Sequence, residues 1–327
     1  MSTIRVSEGT AGLLGLKSLR AADQPTTAYL MIGGDCMRSC AFCAQGRGAS
    51  GAAGRLSRVT WPEYPWAEVL PALARACADG LLKRVCVQTV SAEGAVDALE
   101  AALVALREAG INVPLSASVY VRHPEQLLGL FSAGLDRAGL AIDVASPALY
   151  REIKGGSLAQ ARGLLTSAVE HFPGRVSTHL ICGLGETDRE LLGLAEQLLV
   201  QGVTVGLFAF TPVRGTPLEH RRPPDLARYR RVQAALELLR CGQLTVDGCG
   251  FDGDGNLARL HGWDEAMLRR SMGQGKAFMT SGCPGCNRPY YNERPGQTPY
   301  NYPRPLTAAE LEMALEPVLV LLGGAEA

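Results

Sequence analysis

The sequence predicts an α/β protein built on a parallel (βα) barrel of full or partial TIM type, preceded by an N-terminal helix and followed by a C-terminal cluster-binding extension. Three observations predict it. Short β-branched or apolar runs alternate with helix-period segments from about residue 27 to residue 240. The units recur about every 30 residues, the size of one strand plus one crossover helix. A cysteine-rich loop directly follows the first run, and such barrels carry their chemistry at the C-terminal ends of the strands. A doubly wound open sheet is the structural alternative.

The elements follow in order. A helix over Thr10–Arg20 flanks or plugs the barrel. Strands are expected at Thr27–Ile32, Arg84–Thr89, Val113–Ser118, Arg137–Ile142, Val176–Ile181, Thr204–Phe210 and Gln243–Asp247. Helices are expected at Trp66–Ala78, Gly94–Ala109, Pro124–Ala133, Leu158–His171, Thr187–Gln201 and Asp225–Arg240. Residues 273–306 are rich in Gly, Pro, Tyr and Asn and read as a long loop, a class that is usually functional or disordered. A C-x2-C pair inside it argues against disorder. A last helix runs from Thr307, its N-cap, to Leu322. The expected domains are residues 1–24, a helical flank, 25–262, the barrel, and 263–327, the extension.

Composition excludes several partners. The 327 residues carry 32 Lys and Arg against 32 Asp and Glu, so electrostatics implies no acidic polymer. There is no basic tract suited to nucleic acid and no 18-residue apolar run suited to a membrane. The first residues lack the basic-then-apolar layout of a signal peptide. Ten cysteines without an export signal indicate metal ligation in a reducing compartment, so a cytoplasmic location is expected.

The chemistry centres on Cys36-Met-Arg-Ser-Cys40-Ala-Phe-Cys43. This C-x3-C-x2-C spacing supplies three thiolates from one loop and no nearby fourth. Three thiolates can hold three irons of a [4Fe-4S] cubane and leave the fourth iron open to a cofactor. Structural zinc wants four closed ligands and fits less well. The alternatives are a redox or zinc loop, or three cysteines that are close by chance.

The pattern resembles the radical S-adenosyl-L-methionine (AdoMet, SAM) superfamily, whose signature is C-x3-C-x-aromatic-C, with Phe42 in the aromatic slot. The resemblance implies a SAM-binding 4Fe-4S cluster on Cys36, Cys40 and Cys43 that cleaves AdoMet to methionine and a 5'-deoxyadenosyl radical. Gly183-Leu-Gly185-Glu186-Thr187 looks like the adenine-side contact of that superfamily, most closely of its biotin-synthase branch. Thr211-Pro-Val-Arg-Gly215-Thr-Pro-Leu218 resembles the same branch and places Val213 against the adenine. An ordinary tight turn is the alternative for both stretches. Gln88 and Thr89 end the second strand, where the family presents a backbone edge to the AdoMet amino group; the common Gly-Gly-Glu form is missing. Asp143 is placed to bond the ribose, or to sit as an acid near a turn.

The resemblance to biotin synthase runs from about residue 25 to 250 and breaks at the second cluster. Cys86 matches one of three strand cysteines, but Ser116 and Ser177 occupy the other two positions and Asp247 lies near the expected arginine. Hydroxyls and an acid do not replace thiolates around iron and sulfide, so biotin synthase itself is rejected. Instead Cys283-Pro-Gly-Cys286-Asn-Arg288 offers two thiolates, with Cys249 the first choice for a third, ahead of Cys182 and Cys241; Cys77 reads as core. This tail looks like that of the biotin-synthase-related proteins that act in pairs as a two-component lipoyl synthase. The resemblance implies an auxiliary 4Fe-4S cluster as sulfur donor and sulfur insertion at C6 or C8 of an octanoyl chain. It implies as partners a paralogous radical SAM lipoyl synthase subunit, an octanoylated lipoyl carrier protein or domain, and flavodoxin or ferredoxin as electron donor. A cofactor maturase with a redox cluster, or a zinc knuckle at the tail, remains the alternative.

Smaller signals carry less. Asp252-Gly-Asp254-Gly-Asn256 reads as a plain turn rather than a calcium loop. His123, His171, His179, His220 and His261 show no metal spacing. His179 reads as a core histidine or a substrate contact. Tyr290, Tyr291, Tyr300 and Tyr302 could line a channel or cover the tail cysteines, and Arg288 and Arg294 could steady a cluster or lie in solvent.

Overall fold

Hydrogen bonding joins eight strands into one sheet, six consecutive members of which run parallel. The computed structural model describes residues 2–19, 21–50 and 54–323. Arg20, where the first expected helix ends, and positions 51–53 of the glycine-rich loop after the cysteine motif lie outside the described residues. The strands are β1 (Thr3–Val6), β2 (Thr27–Ile32), β3 (Arg55–Leu56), β4 (Val59–Thr60), β5 (Glu63–Pro65), β6 (Arg84–Thr89), β7 (Leu115–Ser118), β8 (Arg137–Gly139), β9 (Val176–Cys182), β10 (Thr204–Ala209), β11 (Cys249–Phe251) and β12 (Leu257–Leu260). The large sheet has the order β10-β9-β8-β7-β6-β2-β1-β5. From β2 to β10 all pairings are parallel, while β1 pairs antiparallel with both β2 and β5. The result is a partial TIM-type barrel, open between its two edge strands.

The crossovers are helical because their apolar residues recur at three- and four-residue intervals. They comprise α2 (Trp66–Ala78), α3 (Ala95–Glu108), α4 (Gln126–Ser132), α5 (Pro147–Ile153), α6 (Leu158–His171), α7 (Asp188–Val200) and α8 (Leu226–Arg240), after a short α1 (Glu8–Leu13). In α2 the buried set is Trp66, Val69, Ala72, Leu73 and Ala76, one stripe laid on the sheet. Each fully buried leucine of this core, such as Leu73 or Leu99, contributes about 1.5–3 kcal/mol. α7 begins in a capping box between Thr187 and Glu190.

Several boundaries differ from the sequence-based expectation. The first helix stops at Leu13, because Gly15 turns the chain into the left-handed region at φ +73°. β1 is too short for its alternation to be recognisable. The expected strand Gln243–Asp247 is not one: Val246–Gly248 is a 3-10 turn, and the extended segment follows it as β11, paired with β12. β7 starts after Pro114, which has no N–H to offer a ladder. β8 ends at Gly139, and beyond it Asp143 adopts a left-handed φ of +64° while bridging Leu180 of β9. Asp252 accepts the backbone N–H groups of Asp254 and Asn256, the plain turn that was expected.

The C-terminal segment packs against the open sheet. After α9 (Glu265–Met272) its loop touches the β10 edge, where Leu207 N–H donates to Ser281 Oγ (3.0 Å) and Asn292 Nδ2 donates to the Ala209 carbonyl (2.7 Å). The same loop reaches the start of the first parallel strands. Thr26 N–H donates to Asn287 Oδ1 (2.9 Å) and Arg84 Nε to the Pro284 carbonyl (3.0 Å). The chain ends in α10 (Ala308–Leu319), capped by Thr307 and Glu310 and followed by a 3-10 turn to Leu322.

Candidate active site

The loop after β2 is shaped by its own backbone. Cys43 N–H donates to the Cys40 carbonyl (3.0 Å), Met37 N–H to Ser91 (2.7 Å) and Ala41 N–H to Ile153 (2.8 Å). A Cβ on Gly46 would stand 2.9 Å from the Cys40 carbonyl oxygen, so the turn closes only with glycine there. Arg38 binds the Lys154 carbonyl (3.3 Å) and lies over the Tyr120 ring (5.2 Å). These contacts aim Cys36, Cys40 and Cys43 into one cavity of about 530 Å³, which Phe42 also lines. Burial pushes the Cys40 thiol up and the Cys43 thiol up to about 12. Without a metal both would stay protonated, and binding iron would deprotonate them.

The cavity brings together part of the expected AdoMet set. Gln88, Thr89 and Asp143 line it. Thr89 Oγ1 is buried with no hydrogen-bond partner, a polar group suited to a ligand. Asp143 is committed within the protein: its carboxylate meets Lys154 Nζ and His179 Nε2, each at 2.6 Å. Burial alone would raise its pKa, but Lys154 and the hydrogen-bonded His179 hold the carboxyl well below the usual range. Lys154 also donates to the Ala141 carbonyl at 2.6 Å, and Asp143 holds its pKa above the ordinary value against burial. His179 is therefore an oriented cavity residue, 5.3 Å from the Phe208 ring in an edge-on arrangement.

Other expected contacts lie outside the cavity. Gly183, Gly185, Glu186 and Val213 are not among its lining residues. Glu186 folds back to accept the N–H groups of Gly183 (2.8 Å) and Leu184 (2.9 Å), and Arg228 pairs with it at 3.1 Å. A Cβ on Gly183 would collide with Pro224 and one on Gly185 with Arg221, so these glycines serve close packing. Val213 is buried against Ala44, behind the cysteine loop. From β9 it is Ile181 that faces the cavity, a residue the sequence reading passed over. Strand alternation could have identified it, since Ile181 stands two positions from His179 on the same face.

The second cysteine set converges on a different partner from the one expected. The strand register aligns Tyr29, Cys86 and Ser116 in one row across β2, β6 and β7. Cys286 Sγ lies 3.2 Å from the Tyr29 hydroxyl, and Ser116 Oγ donates to Cys283 Sγ at 3.8 Å. Gln88 Nε2 donates to Cys86 Sγ at 3.1 Å. Burial pushes the Cys86 thiol up to about 12, Arg288 opposes this, and Cys283 and Cys286 add to it. Cys249 lies elsewhere: it sits in β11 with its thiol directed to the Thr245 carbonyl (3.7 Å), because the strand expected before it is a turn. Cys182 is buried near Glu186 and Arg228, Cys241 is exposed at the end of α8, and Asp247 is exposed in its turn.

The two sets flank one small core. Cys36 and Cys286 both pack against the buried group Tyr29, Met31, Trp61, Cys86 and Val90. Arg288 lies over the rings of Tyr29 (5.5 Å), Phe208 (4.7 Å) and Tyr291 (5.1 Å), and Tyr291 lines the main cavity. Among the described residues no group of three or more His, Cys, Asp or Glu side chains stands at metal-ligating spacing, so each set is a neighbourhood of soft donors rather than a closed ligand cage. No helix is long and apolar enough to cross a membrane among those residues.

Comparison with known proteins agrees with this geometry. The chain is 27% identical over 161 residues to GTP 3',8-cyclase of Limosilactobacillus fermentum, covering 49% of this chain and 46% of that protein. It is 27% identical over 236 residues to lipoyl synthase of Aliivibrio fischeri, covering 65% of this chain and 66% of that one. It thus spans about half to two thirds of the length of these curated relatives. The crystal structure of HydG, a maturase of the [FeFe]-hydrogenase, superposes with a TM-score of 0.54 at 12% identity over 65% of this chain and 50% of that chain, a likeness of fold. Residues 30–198, just over half of the sequence and including all three cysteines of the β2 loop, match the Radical SAM superfamily model, and the chain belongs to that superfamily.

Proposed function

We propose that this protein is a radical AdoMet sulfurtransferase that inserts sulfur into an unactivated C–H bond of a protein-bound octanoyl chain, as one of two cooperating lipoyl synthase subunits. The observation that carries the reading is the meeting of Cys283 and Cys286 with Cys86 beside the β2–β6–β7 row, across a small core from Cys36. The 27% identity to a lipoyl synthase supports the substrate class. Membership of the superfamily implies a 4Fe-4S cluster and AdoMet, and the donor set of the β2 loop fits them: three cavity-facing thiols from one turn.

Cys36, Cys40 and Cys43 would hold the catalytic cluster, and Cys86, Cys283 and Cys286 the auxiliary one. When bound, the first supplies the electron that opens AdoMet and the second supplies sulfide. The protein's own residues do the remainder. Thr89 presents a free hydroxyl to the cavity, the Asp143–Lys154–His179 group fixes a charged wall, and Phe208 and Ile181 exclude water. Arg288, stacked on Tyr291, stands in the wall of the main cavity two positions after Cys286. The paralogous subunit, the octanoylated carrier and a flavodoxin or ferredoxin donor belong to this proposal.

Anaerobic reconstitution tests it. The expected content is about eight irons and eight sulfides per chain, as for two cubanes. Alanine at both Cys283 and Cys286 is expected to leave 5'-deoxyadenosine formation intact and to stop sulfurated product. About four irons plus one zinc, or product from the double variant, would refute the sacrificial role.

A further inference from the structure

A second chamber of about 240 Å³ adjoins the main cavity. The two share Leu56, Gln88, Arg288 and Tyr291 in their walls. The rest of the second wall comes from four segments: the β1–α1 turn at Glu8, the stretch before β2 at Leu19 and Pro25, the residues around β4 at Val59 and Trp61, and the C-terminal loop at Tyr290. Most of this surface is hydrocarbon or ring face.

Two buried donors in the wall have no hydrogen-bond partner, Trp61 Nε1 and Arg288 Nε. A buried donor left without an acceptor is costly, so such groups are normally matched by water or ligand. The carboxylates of the same wall are already engaged. Glu8 pairs with Lys17, Asp23 with the Tyr290 hydroxyl (3.4 Å) and Arg304 (3.5 Å), and Glu293 accepts the Tyr300 N–H (3.2 Å). Among the described residues the chamber therefore offers apolar surface and spare donors. A ligand that complements it is an apolar chain bearing a carbonyl or carboxylate acceptor.

We propose that this chamber binds the acyl chain of the substrate, with its acceptor oxygen held by Trp61 Nε1 and Arg288 Nε, next to the AdoMet cavity. This deepens the acyl reading above and rests on it for the chain's fate.

The test uses the full, anaerobically reconstituted protein and sodium octanoate as probe, followed by equilibrium dialysis. Octanoate is expected to bind at one saturable site, and octylamine, which lacks the acceptor, at least tenfold more weakly. Trp61→Phe, which keeps the ring and removes the donor, is expected to weaken octanoate at least fivefold. Val59→Trp, which fills the chamber, is expected to abolish octanoate binding and leave AdoMet affinity within twofold. Absence of octanoate binding to the unaltered protein, equal binding of octylamine, or unchanged binding by Trp61→Phe would overturn the proposal. Because binding is read without turnover, octanoate that binds as expected in a protein forming no sulfurated product would remove the reaction and leave the chamber standing.

Discussion

The hydroxyl of Tyr29 and the thiol of Cys286 meet at 3.2 Å across 257 positions of sequence. The same hydroxyl accepts the backbone N–H of Arg288 at 3.2 Å. One buried strand residue thus fixes the turn that carries both tail cysteines. Tyr29→Phe removes these bonds and keeps the ring. The expected loss is about 1–2 kcal/mol of unfolding free energy, as for one or two buried hydrogen bonds. Urea denaturation measures it, and an unchanged midpoint would show that the contact does not fix the loop.

Cys86 and Cys249 separate the proposed auxiliary ligand set from the sequence-based one. Cys86→Ala is expected to lower bound iron by about four atoms per chain, one cubane. Cys249→Ala is expected to leave iron unchanged, since its thiol points at the Thr245 carbonyl. Iron analysis after anaerobic reconstitution decides, and the reverse pattern would restore Cys249 as the ligand.

Asp143 and Lys154 form a buried ion pair, with side chains 6% and 7% exposed. Asp143→Asn leaves the ammonium without its partner, a change that typically costs about 3–5 kcal/mol. The folded pKa of Asp143 is depressed, so its contribution is complete above the unfolded value near 4 and is lost as pH falls through the lower folded value. Unfolding of iron-free protein followed from pH 6 to pH 3 is therefore expected to show a stability gap between wild type and Asp143→Asn that is constant above about pH 5 and shrinks below pH 4. A gap that widens on acidification would contradict the pairing.

Gly215 holds the far side of the cysteine loop. Its φ is +84°, its carbonyl accepts Ser50 N–H at 2.8 Å, and a Cβ there would run into the Ser50 carbonyl. Gly215→Ala combines left-handed strain with that clash and is expected to cost about 1–3 kcal/mol. Because the strain falls on the loop that presents Cys36, Cys40 and Cys43, reconstituted iron should also drop. Calorimetry together with iron analysis checks both, and normal values for each would show that the 50–215 contact does not shape the site.

Much of this protein was legible as a string. β2, β6, α2 and α6 have the bounds expected from their apolar patterns, because each is a run of the length its period requires, and Gly33 and Asp79 stop β2 and α2 directly. The cysteines of the β2 loop were legible because all three lie within eight positions, so a single loop must present them together. Glu186 misled for a local reason: a carboxylate after two glycines can meet a ligand or cap its own turn, and Arg228, 42 positions away, pulls it inward.

The sequence by itself determined the parallel α/β order, the three-thiol loop after the first parallel strand, and the presence of a second cysteine pair. Tertiary structure alone decided which thiol that pair meets. Along the chain Cys249 reads as the first choice of partner, and nothing local points to Cys86. Only the return of the C-terminal loop across the open sheet, held at Thr26, Arg84 and Leu207, puts one beside Cys283 and Cys286 and leaves the other in a distant hairpin. Local patterns encode period and turn chemistry, whereas the closure of a long loop depends on hydrogen bonds between residues that no window of sequence contains.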